Sequence, residues 1–584
     1  MDRNALAVPA HLRRFVVEQD YRQYTAVDRA VWRFLLVQTQ AQLRDHAHPA
    51  YRNGHAAAGI TPDCIPHMNE VNDKLSRFGW GAVCVDGFIP PRAFQEFQAC
   101  GLLPIAAELR TREQLAYTPA PDIFHESAGH APILPDPIFA AYLKRIGDLG
   151  RKAFSVPEED TLYEAIHALS ERKGNPSLGP EEIARAEAAL EAVLERLPEP
   201  SEAARLSRLY WWTAEYGLVG RPDDYKIYGA GLLSSLRESH NCDAATVAKV
   251  ALDEGCMDVA YDITRPQPQL FVASSFEALH EVLDLAAREL AIHIGGQAAL
   301  LRAVRSREVA SVRFSSGAWV MGVVATVGPM RGEPAWLELT GPVAFAWDGV
   351  LQPEHDRLGR PDGAIIVTGV LADGARLERV SDRVVESARE GASGRHRFRF
   401  ANGAAMTGSL SRVVRSADGL LMRLEMSDVE LRLPGCAPRK LSRHVLIPAG
   451  DVITAHAGAV DARFYVDTAF SRALVPAPRH RLARERRTIA LYAQAEAALR
   501  GGRLAMRDEF PRILAILKRT ESQERGGVRE AAHVDWLLRW VLLEGLIKTS
   551  ADARLADALR EELQRLEVDL DHQQPIAMGL RACN

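Results

Sequence analysis

Pro121–Phe139, PDIFHESAGHAPILPDPIF, sets His125 and His130 around Glu126 and Gly129. Two neutral imidazoles and one carboxylate from elsewhere would make a metal site, and the best candidate for the third group is Glu215, in LYWWTAEYGL. Such a set on one face of a metal leaves positions open, as in non-haem Fe(II) oxygenases. Spacing alone is ambiguous. Zinc proteases carry histidines four residues apart on one helical stripe, with a glutamate base after the first. Here the interval is five residues, about 140° on an ideal α-helix, and that geometry does not fit. Taken bare, two histidines at this interval are more often structural than ligands.

The wider context changes that balance. The stretch resembles the pterin-dependent aromatic amino acid hydroxylases, whose pattern PD-x-x-HE-x-x-GH-x-P, followed by P-x-FA, stands here in every fixed element from Pro121 to Ala140. YWWTAEYGL and then YGAGLLSS (Tyr228–Ser235) match the next two family blocks in order. The resemblance continues through CMDVAYDITRPQPQLFVASSFEAL (Cys256–Leu279) and fades after about Gly296, so it covers roughly the first half of the chain. The arrangement is that of the bacterial members, with no room in front for the regulatory domain of animal members.

The resemblance implies a site. His125, His130 and Glu215 would be the ligands of Fe(2+), and Asp122 an acceptor behind them that orients a ligand imidazole. Gly87, Phe88, Ile89, Pro91 and Phe94 would hold a tetrahydropterin (tetrahydrobiopterin or a relative), with the Phe94 ring against the flat cofactor. Glu126 would line the pterin side, and Tyr210 would act beside it in catalysis. Arg110 and Thr118 would bind the carboxylate of an aromatic amino acid, the arginine through its planar fork. Trp211 would be an aromatic wall, Ser234 a hydrogen-bonding group and Ile263 a residue that governs substrate choice. Tyrosine-hydroxylating members tend to be acidic where Ile263 stands, and tryptophan-specific ones tend to carry phenylalanine where Trp211 stands. Those residues, with Pro104, favour phenylalanine as substrate, tyrosine as product and O2 as co-substrate.

Composition sets the frame. A chain of 584 residues is too long for one ordinary domain. Its 47% hydrophobic and 25% charged residues describe a globular protein. A net charge of −5 gives no general reason to bind nucleic acid or an acidic membrane. Met1–Arg14 has no apolar targeting core, and no apolar run approaches a membrane span. Seven scattered cysteines without a C-x-x-C suggest reduced thiols in a cytoplasm.

Three segments are expected. Residues 1–305 would form a mainly α-helical hydroxylase domain, opening with the amphipathic helix VWRFLLVQTQAQL and carrying an insertion at 156–203. That insertion, with the helix EEIARAEAALEAVLERL, reads as a solvated surface feature rather than a lid over the cleft. Residues 306–460 alternate and turn often, with hairpin signals at Asp373-Gly374, Asn402-Gly403 and Asp418-Gly419, and read as a small antiparallel β domain, barrel or sandwich. Residues 461–584 revert to helix and offer apolar faces such as Trp536, Leu537 and Trp540, through which the chain would form a homo-oligomer. A chain ending near Arg305 is expected to fold alone.

The function read from all this is a monooxygenase of phenylalanine catabolism. A tryptophan or tyrosine hydroxylase of the same family is the alternative. A zinc hydrolase with Glu126 as base, or a scaffold with a silent hydroxylase half, is the more distant one.

Overall fold

A computed structural model describes residues 8–87, 89–115, 118, 121–174, 178–263, 266–328, 336–352, 362–367, 370–390, 394–446, 451–461, 464, 483–524, 535–569 and 573–582. Phe88 lies outside them.

The amphipathic stretch is the helix Ala26–Gln42. Thr25 begins it with a capping box, its hydroxyl accepting from Asp28 N–H while the Asp28 carboxylate accepts from Thr25 N–H. Val31, Trp32, Phe34, Leu35 and Leu36 are buried along it. The helix Pro137–Lys152 begins with Asp136 accepting from Ile138 and Phe139 N–H, and its Phe139, Tyr142, Leu143 and Ile146 enter the same core. Two small sheets complete this half: a parallel pair, Gly81–Val85 with Leu102–Ala106, and four strands in the order Asp224–Ile227, Leu218–Arg221, Gln269–Ala273, Ala248–Ala251.

Both candidate ligand segments are π-helical turns, His125–His130 and Trp211–Glu215. In each, an N–H reaches back five residues: Ala131 to the Glu126 carbonyl and Tyr216 to the Trp211 carbonyl. A π turn sets residues five apart near one another, which an α-helix does not. The five-residue interval that excluded the zinc-protease pattern therefore suits the backbone found here.

The third motif holds the two turns together. A Cβ on Gly129 would stand 2.8 Å from the Ala230 carbonyl oxygen, and one on Gly229 would stand 2.5 Å from the Glu215 carbonyl oxygen. Only glycine allows both approaches.

The second region is antiparallel, as its alternation predicts. Its first sheet has the order Val350–Leu351, Trp336–Trp347, Ala318–Val327, Val309–Phe314, Val452–Ala457, with Asp362–Val367 also paired to Trp336–Trp347. The last strand thus returns beside the first. Ala299, Leu300 and Ala303 of the helix Gly296–Ser306 pack with Ala310, Val312 and Phe314 under that sheet. The second sheet is a meander, Arg389–Glu390, Arg395–Arg399, Ala405–Arg415, Leu421–Arg432, Arg439–Leu446. Gly403 and Gly419, at φ of 85° and 83°, turn its hairpins where Asn402-Gly403 and Asp418-Gly419 predict them. Gly374 likewise turns the chain between Leu371 and Ala375.

Helices then run from Ala483–Arg500 through Gly502–Glu524, Trp536–Thr549 and Ala553–Asp569 to Gln573–Ala582. Trp536, Leu537 and Trp540 are covered within the chain, which corrects the expectation that they are offered for association. Phe34 of the front helix meets Trp536 and Trp540 edge-on, at ring-centroid distances of 5.3 Å and 4.8 Å. Trp536, Leu537 and Trp540 are each at most 3% exposed and belong to the same core as the front helices. Arginines of the front helix seal the seam, Arg29 forked onto Glu496 (2.8 and 2.7 Å) and Arg33 onto Glu544 (2.7 and 3.2 Å). The helices beyond residue 461 therefore share a core with the front of the chain. Among the described residues no helix is long and apolar enough to cross a membrane.

Candidate metal centre and cleft

The two π turns point their polar side chains at each other. His130 Nε2 lies 3.0 Å from Glu215 Oε1, and His125 Nε2 lies 3.3 Å from Glu215 Oε2. One ligand atom from each of the three residues falls within 4.8 Å of the others. Burial disfavours charge on Glu215, but the imidazoles of His130 and His125 outweigh it and hold the carboxyl well below its usual range. An ionised carboxylate facing two imidazole nitrogens is a donor set that fits a divalent metal.

Ser234 fixes one ligand. Its hydroxyl donates to the Ala230 carbonyl at 2.7 Å and lies 2.8 Å from His125 Nδ1. Because its only proton goes to Ala230, Oγ accepts from Nδ1–H, and His125 Nε2 keeps its lone pair for a metal. Ser234 is therefore behind the ligand, not on the substrate side. Asp122 is also corrected. It accepts from the backbone N–H of His125 at 2.9 Å and orients the turn rather than the ring.

Arg110 is the reason Asp122 can be buried and ionised. Its Nε and Nη2 fork onto the Asp122 carboxylate, both at 2.8 Å, and Nη1 donates to the Ser234 carbonyl at 3.2 Å. Burial alone would raise Asp122, yet the guanidinium and the N–H donors lower it below its ordinary value. The fork assigned to substrate is thus occupied by Asp122, since a buried carboxylate without a partner is costly. Thr118 is half-buried and stands outside the lining of the cleft.

Of the three candidate ligands, His125 and Glu215 line a cavity of about 1650 Å³, while His130 is fully buried. Gly87, Ile89, Pro91, Phe94, Glu126, Trp211 and Ile263 all line that cavity. Burial pushes the Glu126 carboxyl up to about 8, against the pull of His130, and its Oε2 has no hydrogen-bond partner among the described residues. Trp211 is sandwiched. Tyr261 stacks on it at 4.3 Å and Tyr216 at 4.6 Å, so its edge faces the cavity. Tyr210 sits behind the wall, its hydroxyl bound by Gln98 Nε2 at 2.6 Å and its ring against the edge of Phe94. It supports Phe94 and does not reach the cavity.

The sequence reading missed two features. Tyr261 and Tyr216 flank matched motif residues, which was the available signal. The insertion is not a detached surface feature: Leu162, Tyr163, Ile166 and Leu169 of the helix Pro157–Gly174 form part of the cavity wall, with Ala184 and Ala188 of the helix Pro180–Leu194. Its many charged positions gave no sign of this.

The family described as biopterin-dependent aromatic amino acid hydroxylase matches residues 14–163 and 186–294. Phenylalanine-4-hydroxylase of Ralstonia nicotianae is 31% identical over 270 residues, covering 46% of this chain and 72% of that one. This chain belongs to the biopterin-dependent aromatic amino acid hydroxylases. The phenylalanine-4-hydroxylase of Chromobacterium violaceum is 32% identical over 270 residues, covering 46% of this chain and 76% of that one. A crystal structure of the latter enzyme, with iron and phenylalanine bound, aligns at 29% identity over 47% of this chain and 86% of that chain, with a TM-score of 0.36. The break in the hydroxylase match, between residues 163 and 186, falls inside the helical insertion that walls the cavity.

Proposed function

We propose that this hydroxylase converts L-phenylalanine to L-tyrosine with O2, Fe(II) and a tetrahydropterin. The observation that carries it is the convergence of His125, His130 and Glu215 at a cavity walled by Phe94, Trp211 and Ile263. Bound iron and reduced pterin would supply the activation of O2 and the electrons for it. The chain's own residues do the rest. His125, His130 and Glu215 would hold the metal. Ser234 keeps His125 in the tautomer that can bind. Phe94, braced by Tyr210, would stack on the pterin ring, with Gly87, Ile89, Pro91 and Glu126 lining the same cavity. Arg110 uses three of its five N–H groups on Asp122 and Ser234, and the remaining two are those it would offer a substrate carboxylate.

Phenylalanine is favoured over its rivals by the wall. Ile263 presents no acid to a tyrosine hydroxyl, and the Tyr261–Trp211–Tyr216 stack is a fixed obstacle to a larger indole. Wild-type protein is expected to show a kcat/KM for phenylalanine at least about 10-fold above that for tryptophan or tyrosine, the scale set by fitting or misfitting a hydrophobic pocket. Product analysis with each amino acid, Fe(II) and tetrahydropterin tests this. Preferred turnover of tryptophan would refute the assignment.

A further inference from the structure

Arg110 and Arg112 lie two residues apart and face opposite ways. Arg110 turns inward to Asp122, its side chain 1% exposed. Arg112 turns outward, and its Nη1 donates to Asp535 Oδ2 at 2.7 Å, across more than 400 residues of chain. Asp535 is 6% exposed and stands at the start of the helix Trp536–Thr549, accepting from Leu538 N–H. Its other oxygen accepts from the buried Tyr492 hydroxyl at 2.6 Å. Its own N–H donates to Glu521, whose carboxylate is forked by the buried Arg539, both at 2.7 Å.

This makes Asp535 a fixed post. Among the described residues, the groups that bond to it belong to the terminal helices except Arg112. Between Arg112 and Arg110 stands only Thr111, whose N–H donates to Gln114 Oε1 at 3.2 Å, closing a tight turn. Displacement of Arg112 therefore has a short path to Arg110, while the pterin-side residues Gly87–Phe94 and the ligands His130 and Glu215 lie on other segments.

We propose that Asp535, acting through Arg112, is a positioning residue for amino-acid binding, so that the terminal helices set substrate affinity from outside the cleft. The inference rests on the reading of Arg110 as the group that meets the substrate carboxylate. Neither residue touches substrate. A broken pair lets the Arg110–Gln114 turn shift and weakens carboxylate binding, but leaves metal and pterin sites as they were.

The test uses full-length protein. Asp535→Asn removes the charge and keeps a side chain that caps a helix well. Arg112→Met removes the other charge, and Arg112→Lys restores it. Phenylalanine affinity, measured by calorimetry as well as through KM, is expected to weaken about 5- to 20-fold in Asp535→Asn and in Arg112→Met, within the range of coupling between separated groups. Iron content and the KM for tetrahydropterin should stay at wild-type values, Arg112→Lys should recover most of the loss, and the double variant should be no worse than either single one. Unchanged phenylalanine affinity, or equal losses for phenylalanine, pterin and iron, would overturn the proposal. A wild-type chain that binds phenylalanine without hydroxylating it would refute the hydroxylase reading alone, since the calorimetric comparison still judges the brace. One that neither binds nor hydroxylates phenylalanine overturns both.

Discussion

Replacing His130 or Glu215 with alanine is expected to take the chain from about one bound iron to almost none and to reduce tyrosine formation by more than about 100-fold. Loss of a group that merely supports a ligand already costs about 10–100-fold in metal affinity or activity, and a ligand itself should cost more. The two variants differ in what they leave behind. Without Glu215, two imidazoles remain with no carboxylate to neutralise a cation. Without His130, which is fully buried 3.0 Å from Glu215, the carboxylate keeps only His125 as partner. Neither side chain fills the core in the way Trp212 or Phe124 does, so the melting temperature should change little. Metal analysis of each purified variant, beside its turnover, checks the prediction. Wild-type iron content and activity in both would remove the metal assignment.

A chain ending at Arg305 is expected not to fold as a soluble, cooperative unit. This reverses what the sequence alone suggests. Such a chain would uncover Phe34, which is 0% exposed beneath Trp536 and Trp540, and would remove Glu496, Glu544 and Asp535 from Arg29, Arg33 and Arg112, leaving Asp63 with Arg33 and Glu113 with Arg112. Truncating one buried tryptophan costs about 3–5 kcal/mol. A domain has only about 5–15 kcal/mol in total, and here five helices leave at once. Trp540→Ala in the full chain is the milder form, expected to melt several degrees lower while still binding iron. Thermal melting and solubility of both proteins beside wild type are the measurements. A shortened chain that is soluble, melts cooperatively and binds iron would show that the terminal helices are an appendage.

The parts of the structure that the sequence revealed are those with local causes. Asn402-Gly403 and Asp418-Gly419 turn hairpins because a left-handed residue is needed there and glycine supplies it. The capping of Ala26–Gln42 follows from Thr25 and Asp28, three residues apart. The candidate ligands stood out through the motifs that carry them, but the geometry that clusters them did not. A five-residue interval makes sense only on a π turn, and that turn depends on Gly129 and Gly229 packing against segments far along the chain. The partners of Asp122 and Ser234 were missed for a related reason: motif position does not say which atom of a histidine a neighbour holds. The insertion was misread because a helix with few apolar positions can wall an open cavity as readily as it can face solvent. Trp536, Leu537 and Trp540 announced that they needed a cover, and nothing local could name Phe34 as part of it.

The most direct measurement is the fate of heavy-isotope O2 in the reaction with phenylalanine. Iron-loaded full-length protein, given tetrahydropterin and labelled O2, is expected to yield tyrosine carrying one labelled oxygen, with no product when iron, pterin or the amino acid is left out. Unlabelled tyrosine, or tyrosine formed at the same rate without tetrahydropterin, would contradict the account.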